Sequence, residues 1–380
     1  MSRLTTLIIL LTLAAAGAFL VYREWSSASA APAISAVDTA KPAPRVVKGL
    51  YLTAYSAGRE KKMNEIMALI EATELNAVVI DIKDYSGRVL YDSALPLVAE
   101  IGAEDNRLGS ARALIDRLHE KNIYVIARQT VFQDPILARA KPEWAVRLAS
   151  GGLPASAGIW RDYKGLAWVD PSRREVWNYN LEIAKEAIGL GFDEINFDYV
   201  RFPSDGNLKT AIYGSGEKEQ AAVMRDFFQY VNTALTPAPA SAGRPAWISL
   251  DVFGFVLERD DGLQIGQRLI DMVDEVDYIS PMMYSSHYPR GHLGLANPAT
   301  RPDLVVDNGL KLGAPKFEGK RARVRPWLQA FNLGAVYDAG KIRAQIEAVE
   351  KYPNAGWLLW NAANRYTAAG LLPGDEDRPE

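Results

Sequence analysis

Apolar positions along this chain follow two alternating periods from about residue 46 onward. Short runs rich in β-branched and aromatic residues are separated by stretches with apolar residues every three to four positions, which predicts strands alternating with helices. The runs predict strands at 48–55, 77–84, 123–128, the first half of 191–206, 246–253, 276–284, 323–330 and 356–361. Helical spacing lies between them. At 61–74, Met63, Ile66, Met67, Leu69 and Ile70 share one face, and further helices are predicted at 109–120, 175–190, 218–235, 263–273, 302–312 and 342–351. Eight strands alternating with helices predict an α/β fold, a (β/α)8 TIM barrel, spanning 46–370. A doubly wound open sheet is the competitor. It usually carries a Gly-rich phosphate turn after its first strand, and Tyr55-Ser-Ala-Gly58 lacks that G-x-G-x-x-G spacing.

Outside the barrel the pattern changes. Residues 4–22 form one apolar run behind the single positive charge of Arg3, so 1–25 reads as a signal peptide or a membrane anchor. The run suits a span, which needs roughly 20 residues, while Ala28-Ser29-Ala30 offers a small-x-small cleavage site. Residues 26–45 are rich in Ala, Ser and Pro with no apolar face and read as a flexible linker; 371–380 reads as a disordered tail. The expectation is an exported protein, periplasmic or at the cell surface, held to the cytoplasmic membrane if the segment stays uncleaved.

Composition narrows the chemistry. A formal charge of −3, from 43 basic and 46 acidic residues without a basic stripe, argues against a nucleic-acid partner. There is no cysteine, which excludes disulfides, thiol catalysis and thiolate metal sites. His119 falls on the second helix, and His287 with His292 lacks a metal-ligand frame, so no metal or other cofactor is expected. No G-x-S-x-G serine elbow occurs. The nine Trp and 17 Tyr are plentiful, and aromatic platforms suit sugar rings, though most belong to the core.

The stretch 191–206 concentrates the remaining signal. Its strand alternates apolar Ile195 and Phe197 with Asn196 and Asp198, which face one way on a buried strand, and a buried carboxylate is costly unless paired or used. A structural aspartate capping the next loop is the alternative. In a barrel, inward residues at the carboxyl ends of the strands converge on one pocket. Those ends carry Asp81, Lys83 and Asp84; Arg128 and Gln129; Asn196, Asp198 and Arg201; Ser249 and Asp251; Tyr284 and His287; Gln329; and Trp360 with Asn361. The chemistry that fits is cleavage of O-glycosidic bonds by two carboxylates. Asp198 and Asp251 occupy corresponding positions on neighbouring strands and are the catalytic candidates. Asp81, Lys83, Arg128, Asn196, Arg201, Tyr284, Gln329 and Trp360 are the candidates for holding a carbohydrate substrate. Arg128 and Arg201 would keep one carboxylate charged, Tyr284 would orient a carboxylate, and Trp360 would floor a sugar subsite.

Several runs together resemble a bacterial family of glycoside-hydrolase-like barrels long catalogued as a domain of unknown function. The carriers are Lys48-Gly-Leu-Tyr-Leu-Thr53, Val79-Ile-Asp-Ile-Lys-Asp84, Phe192-Asp-Glu-Ile-Asn-Phe-Asp-Tyr-Val-Arg-Phe-Pro203, Ser249-Leu-Asp-Val-Phe-Gly254, Ile279-Ser-Pro-Met-Met-Tyr284, Arg325-Pro-Trp-Leu-Gln329 and Leu359-Trp-Asn361. The resemblance covers about 46–366. Through the likeness of that family to the alpha-amylase clan, it implies that the fourth-strand Asp198 is the nucleophile. A looser resemblance to chitinase-type barrels, with D-G-x-D-x-D-x-E on the fourth strand, matches Asp193 and Asp198 but puts Asn196 at a middle aspartate and Val200 at the acid. The substrate-assisted chitinase mechanism therefore lacks its acid here. Two readings remain: an exported hydrolase, or a catalytically inactive carbohydrate-binding barrel recognising the cell envelope or an exopolysaccharide.

Overall fold

The computed structural model describes residues 45–149, 158–216, 218–236 and 247–374. Eight parallel strands form the frame: β1 (Val47–Leu52), β2 (Ala77–Lys83), β3 (Tyr124–Thr130), β4 (Glu194–Asp198), β5 (Trp247–Phe253), β6 (Tyr278–Met282), β7 (Trp327–Gln329) and β8 (Gly356–Trp360). Neighbours in sequence pair in space, β8 returns to β1, and Trp327 of β7 pairs with Met282 of β6. The sheet is therefore closed, as expected of a TIM barrel.

Helices α1 (Glu60–Glu71), α2 (Ala111–His119), α3 (Arg174–Leu190), α4 (Gln220–Leu235), α5 (Pro302–Gly313) and α6 (Ala339–Glu350) lie between the strands. Their ends follow local chemistry. The Ser110 hydroxyl accepts from the Ala113 N–H to start α2, and Gly191, at φ 108°, turns the end of α3 into β4.

Three features depart from the sequence reading. The helix expected at 263–273 is replaced by short 3₁₀ turns, Gly254–Leu257, Gly262–Gln264 and Leu269–Asp271. Gly262 and Gly266 adopt positive φ there, and a β-carbon on Gly266 would sit 2.7 Å from Met224 and 2.8 Å from the Gln220 carbonyl of α4. A regular helix cannot form around two left-handed glycines that also permit so close an approach. The single seventh strand is split into Arg323–Val324 and β7, with Pro326, which has no N–H to give the ladder, between them. Among the described residues no helix follows β8.

Side-chain alternation divides the core in two. Outward residues of the strands pack against the helices, while Val47, Tyr51, Val79, Tyr124, Ile126, Trp247, Tyr278, Trp327 and Leu358 fill the barrel interior. Residues 371–374 remain ordered, the Glu74 N–H donating to the Leu372 carbonyl at 3.0 Å. The hydrophobic segment 4–22 and nearly all of the linker lie outside the described residues; among those described, no helix is long and apolar enough to cross a membrane.

Candidate active site

β3 delivers the centre of the site. Tyr124, Ile126 and Arg128 point inward by strand parity, so Arg128 emerges at the carboxyl end of the barrel. Its Nη1 donates to Asp81 Oδ1 of β2 at 2.6 Å, its Nη2 donates to Asp198 of β4, and its Nε lies 3.5 Å from Asp251 Oδ2 of β5. One buried guanidinium thus faces three buried carboxylates from three strands. Its planar fork is what allows a single side chain to serve several acceptors.

The three acids differ in what else they touch. Asp81 accepts from the Tyr51 hydroxyl at 2.6 Å, and burial raises its carboxyl above the usual range despite Arg128. Asp198 Oδ1 accepts from the Tyr199 N–H at 2.6 Å. Tyr199 sits at φ 53°, a left-handed conformation uncommon for an aromatic residue, so the backbone immediately after Asp198 is strained. Asp251 Oδ1 accepts from the Trp327 indole at 2.7 Å and from Asn196 Nδ2 at 2.8 Å. Burial first, and the charge of Asp198 second, push the Asp251 carboxyl up to about 7 against the pull of Arg128.

A second polar layer lies deeper. Asn196 Nδ2 also donates to Ser249 Oγ at 3.0 Å, and Ser249 in turn donates to Glu194 Oε1 at 2.5 Å. Glu194 is paired bidentately with Arg325, both fully buried, and accepts from the Tyr124 hydroxyl at 3.2 Å. The chain Arg325–Glu194–Ser249–Asn196 fixes which way Asn196 presents its amide, and so holds Asp251 from below.

Above these acids opens a cavity of about 430 Å³. Arg128, Asp198 and Asp251 reach its surface, with Tyr199, Arg201, Phe253, Tyr284, His287, Tyr288 and Trp360 on its walls. Trp360 stacks on Tyr51 with ring centroids 3.7 Å apart and has the Arg128 guanidinium 4.9 Å from its ring. His287 is half-buried, which lowers its pKa. Among the described residues no three His, Cys, Asp or Glu side chains are grouped to hold a metal.

The structure thus gathers Asp81, Asp198 and Asp251 around Arg128, with Asp81 behind the cavity wall, puts Arg201, Tyr284 and Trp360 on the wall, and sets Asn196 one layer below. Arg128 is the arginine that meets the carboxylates; Arg201 makes no ion pair among the described residues. Lys83 and Gln329 do not join the cavity. The register between β2 and β3 slips between Asp81 and Lys83, so Lys83 is turned to the helix side. There its Nζ lies 2.8 Å from Asp134 Oδ2 and donates to the Thr130 carbonyl at 2.8 Å and to Asn180 of α3 at 3.2 Å. Gln329 Oε1 accepts from the Ser286 N–H at 3.1 Å, and its Nε2 donates to the Phe331 carbonyl at 3.0 Å, tying two loops together. Asp193 faces the opposite end, 2.9 Å from His119 Nε2.

Tyr51, Glu194, Arg325 and Trp327 were not among the sequence candidates. Parity was the available signal for Glu194, which stands four residues before Asp198 on the same face. Tyr51 and Trp327 looked like ordinary core aromatics, and only the closed barrel brings them to acids on other strands.

The match to known proteins follows this geometry. Residues 49–366 match the family model described as "Putative glycosyl hydrolase domain". The chain belongs to that family. As a glycosyl hydrolase domain its barrel also has solved counterparts. A hypothetical protein from Ruminiclostridium thermocellum is 38% identical over 53% of this chain and 97% of its own, with a TM-score of 0.47. The PgaB (BpsB) glycoside hydrolase domain from Bordetella bronchiseptica has a TM-score of 0.59 at 14% identity, covering 85% of this chain and 95% of its own. The alpha-galactosidase TtGalA from Thermus thermophilus has a TM-score of 0.50 at 14% identity, covering 85% of this chain and 59% of its own. At such identity the last two share the fold. No curated protein matches the chain in sequence.

Proposed function

We propose that this glycosyl hydrolase domain cleaves a polysaccharide or oligosaccharide with Asp198 as nucleophile or base and Asp251 as proton donor. The observation that carries the assignment is the unequal environment of two acids around one arginine. Asp198 takes a charge-assisted bond from Arg128 and another from the Tyr199 N–H. Asp251 is pushed up to about 7 and can hold a proton for the leaving oxygen. Arg128 is also held through its other terminal nitrogen by Asp81. The aromatic walls of Tyr284, Phe253 and Trp360 give the apolar faces that a pyranose ring stacks on.

The test is turnover on a glycan panel with product analysis, for the wild type and Asp198→Asn. A released reducing sugar that disappears in Asp198→Asn supports the mechanism. Glycan binding with no release from the wild type would favour the non-catalytic barrel instead. We further propose that the barrel works outside the cytoplasmic membrane, from the apolar run 4–22 and the Pro/Ala-rich linker. Fractionation settles this: full-length protein in the cytosol would refute it, a membrane-bound chain starting at Met1 would mean an anchor, and a start near Ala31 a cleaved signal.

A further inference from the structure

Arg201 is the charged group on the cavity wall that the two-carboxylate mechanism does not use. It is 9% exposed, and among the described residues no carboxylate lies within ion-pair distance of it. Nη1 donates to the Phe202 carbonyl and to Ser204 Oγ, both at 3.1 Å, and among the described residues no acceptor takes the rest of the fork. The guanidinium is held among three rings instead, 5.0 Å from the Trp168 centroid, 5.1 Å from Tyr199 and 4.9 Å from Phe253. Rings hold a cation in place without consuming its N–H donors. Asp198, Asp205 and Asp162 act on it only through space.

A buried arginine of this kind is costly to keep for structure alone, because its desolvation is not offset by a paired charge. None of the acids of the site is bound to it. Asp198 and Asp81 are both bound to Arg128, and Asp251 turns one oxygen to Trp327 and Asn196. Arg201 lines the same cavity as Asp198, the cavity in which a sugar would sit. A planar carboxylate matches two parallel N–H donors of an arginine fork.

We propose that Arg201 recognises the carboxylate of a uronic acid, so that the substrate is an acidic glycan. This rests on reading the cavity as a sugar site. Glucuronate and galacturonate should bind the full chain at least about tenfold more tightly than glucose and galactose, an effect typical of one charge-assisted bidentate contact. Arg201→Gln should abolish that preference without moving the melting temperature of the unliganded protein. Arg201→Lys should restore part of it, since a lysine keeps the charge but not the fork.

The measurement is calorimetric or NMR titration of the four monosaccharides and of glucose 6-sulfate against the three proteins. Equal binding of acidic and neutral sugars by the wild type overturns the proposal without any variant having to fold. So does an acidic preference that survives Arg201→Gln, or a preference for the sulfate over both uronates. Arg201-dependent uronate binding without cleavage of any acidic glycan would sink the hydrolytic mechanism and leave this assignment standing. Cleavage of neutral glycans by the wild type with no acidic preference would do the reverse.

Discussion

Asp198 and Asp251 occupy equivalent ends of adjacent strands, yet their surroundings separate their roles. Asp198 accepts from the arginine fork and from the backbone N–H at Tyr199, whereas Asp251 meets a neutral indole, a neutral amide and only the Nε of Arg128. Asp198→Asn keeps the shape and one acceptor but removes the charge that an oxocarbenium-like state needs. Turnover should fall at least about 10³-fold, several kcal/mol in the barrier, with the thermal melt nearly unchanged. Unchanged turnover with a collapsed melt would make Asp198 a loop cap. Asp251 carries a different signature. As a proton donor it works only while protonated, so kcat should decline as pH rises through about 7. Asp251→Asn should hurt natural glycans far more than nitrophenyl glycosides, whose leaving group needs no proton. An equal loss on both substrates would argue that Asp251 positions Arg128.

At the scale of elements, the sequence carried the eight strands and most helices because periodicity follows from burial, and burial is what the barrel imposes. What it did not carry are events set by single residues. The slip in β2 reverses Lys83 while leaving the apolar pattern around it intact, so a strand that looked as if it offered both Asp81 and Lys83 to the pocket gives Asp81 to Arg128, behind the cavity wall, and Lys83 to the helix side. The 3₁₀ turns around Gly262 and Gly266 defeat a helical pattern through two backbone angles. The cluster of three acids and one arginine was legible as convergence at strand ends, but its partners Tyr51 and Trp327 were not, since each meets its acid only across the closed barrel. The β2 slip is testable. Lys83→Met leaves Asp134 buried without its cation and should cost about 3–5 kcal/mol, read as a lower urea midpoint at constant m. Turnover per folded molecule should persist. Lost turnover at full stability would put Lys83 in the pocket.

For the whole molecule, the protonation of Asp251 ties the chemistry to the stability of the barrel. Its carboxyl is pushed up to about 7 in the folded chain from an ordinary 3.8. Between those values the folded chain holds a proton that the unfolded chain releases, so stability falls as pH rises across that window. Below it both states are protonated, and above it both are charged, so this contribution is flat on either side. Asp81, also raised by burial, pushes in the same direction. Comparing wild type with Asp251→Asn isolates the Asp251 share, because the asparagine Oδ1 can still accept from Trp327 and Asn196. Any fixed offset from its Nδ2 facing Arg128 does not vary with pH. The variant's melting temperature should therefore gain on the wild type steadily from about pH 4 to pH 7 and keep a constant lead above, by an amount reflecting a few kcal/mol. Parallel melting curves across that range would mean that Asp251 is not held protonated by the fold. The proton donor would then have to be sought elsewhere on the cavity wall.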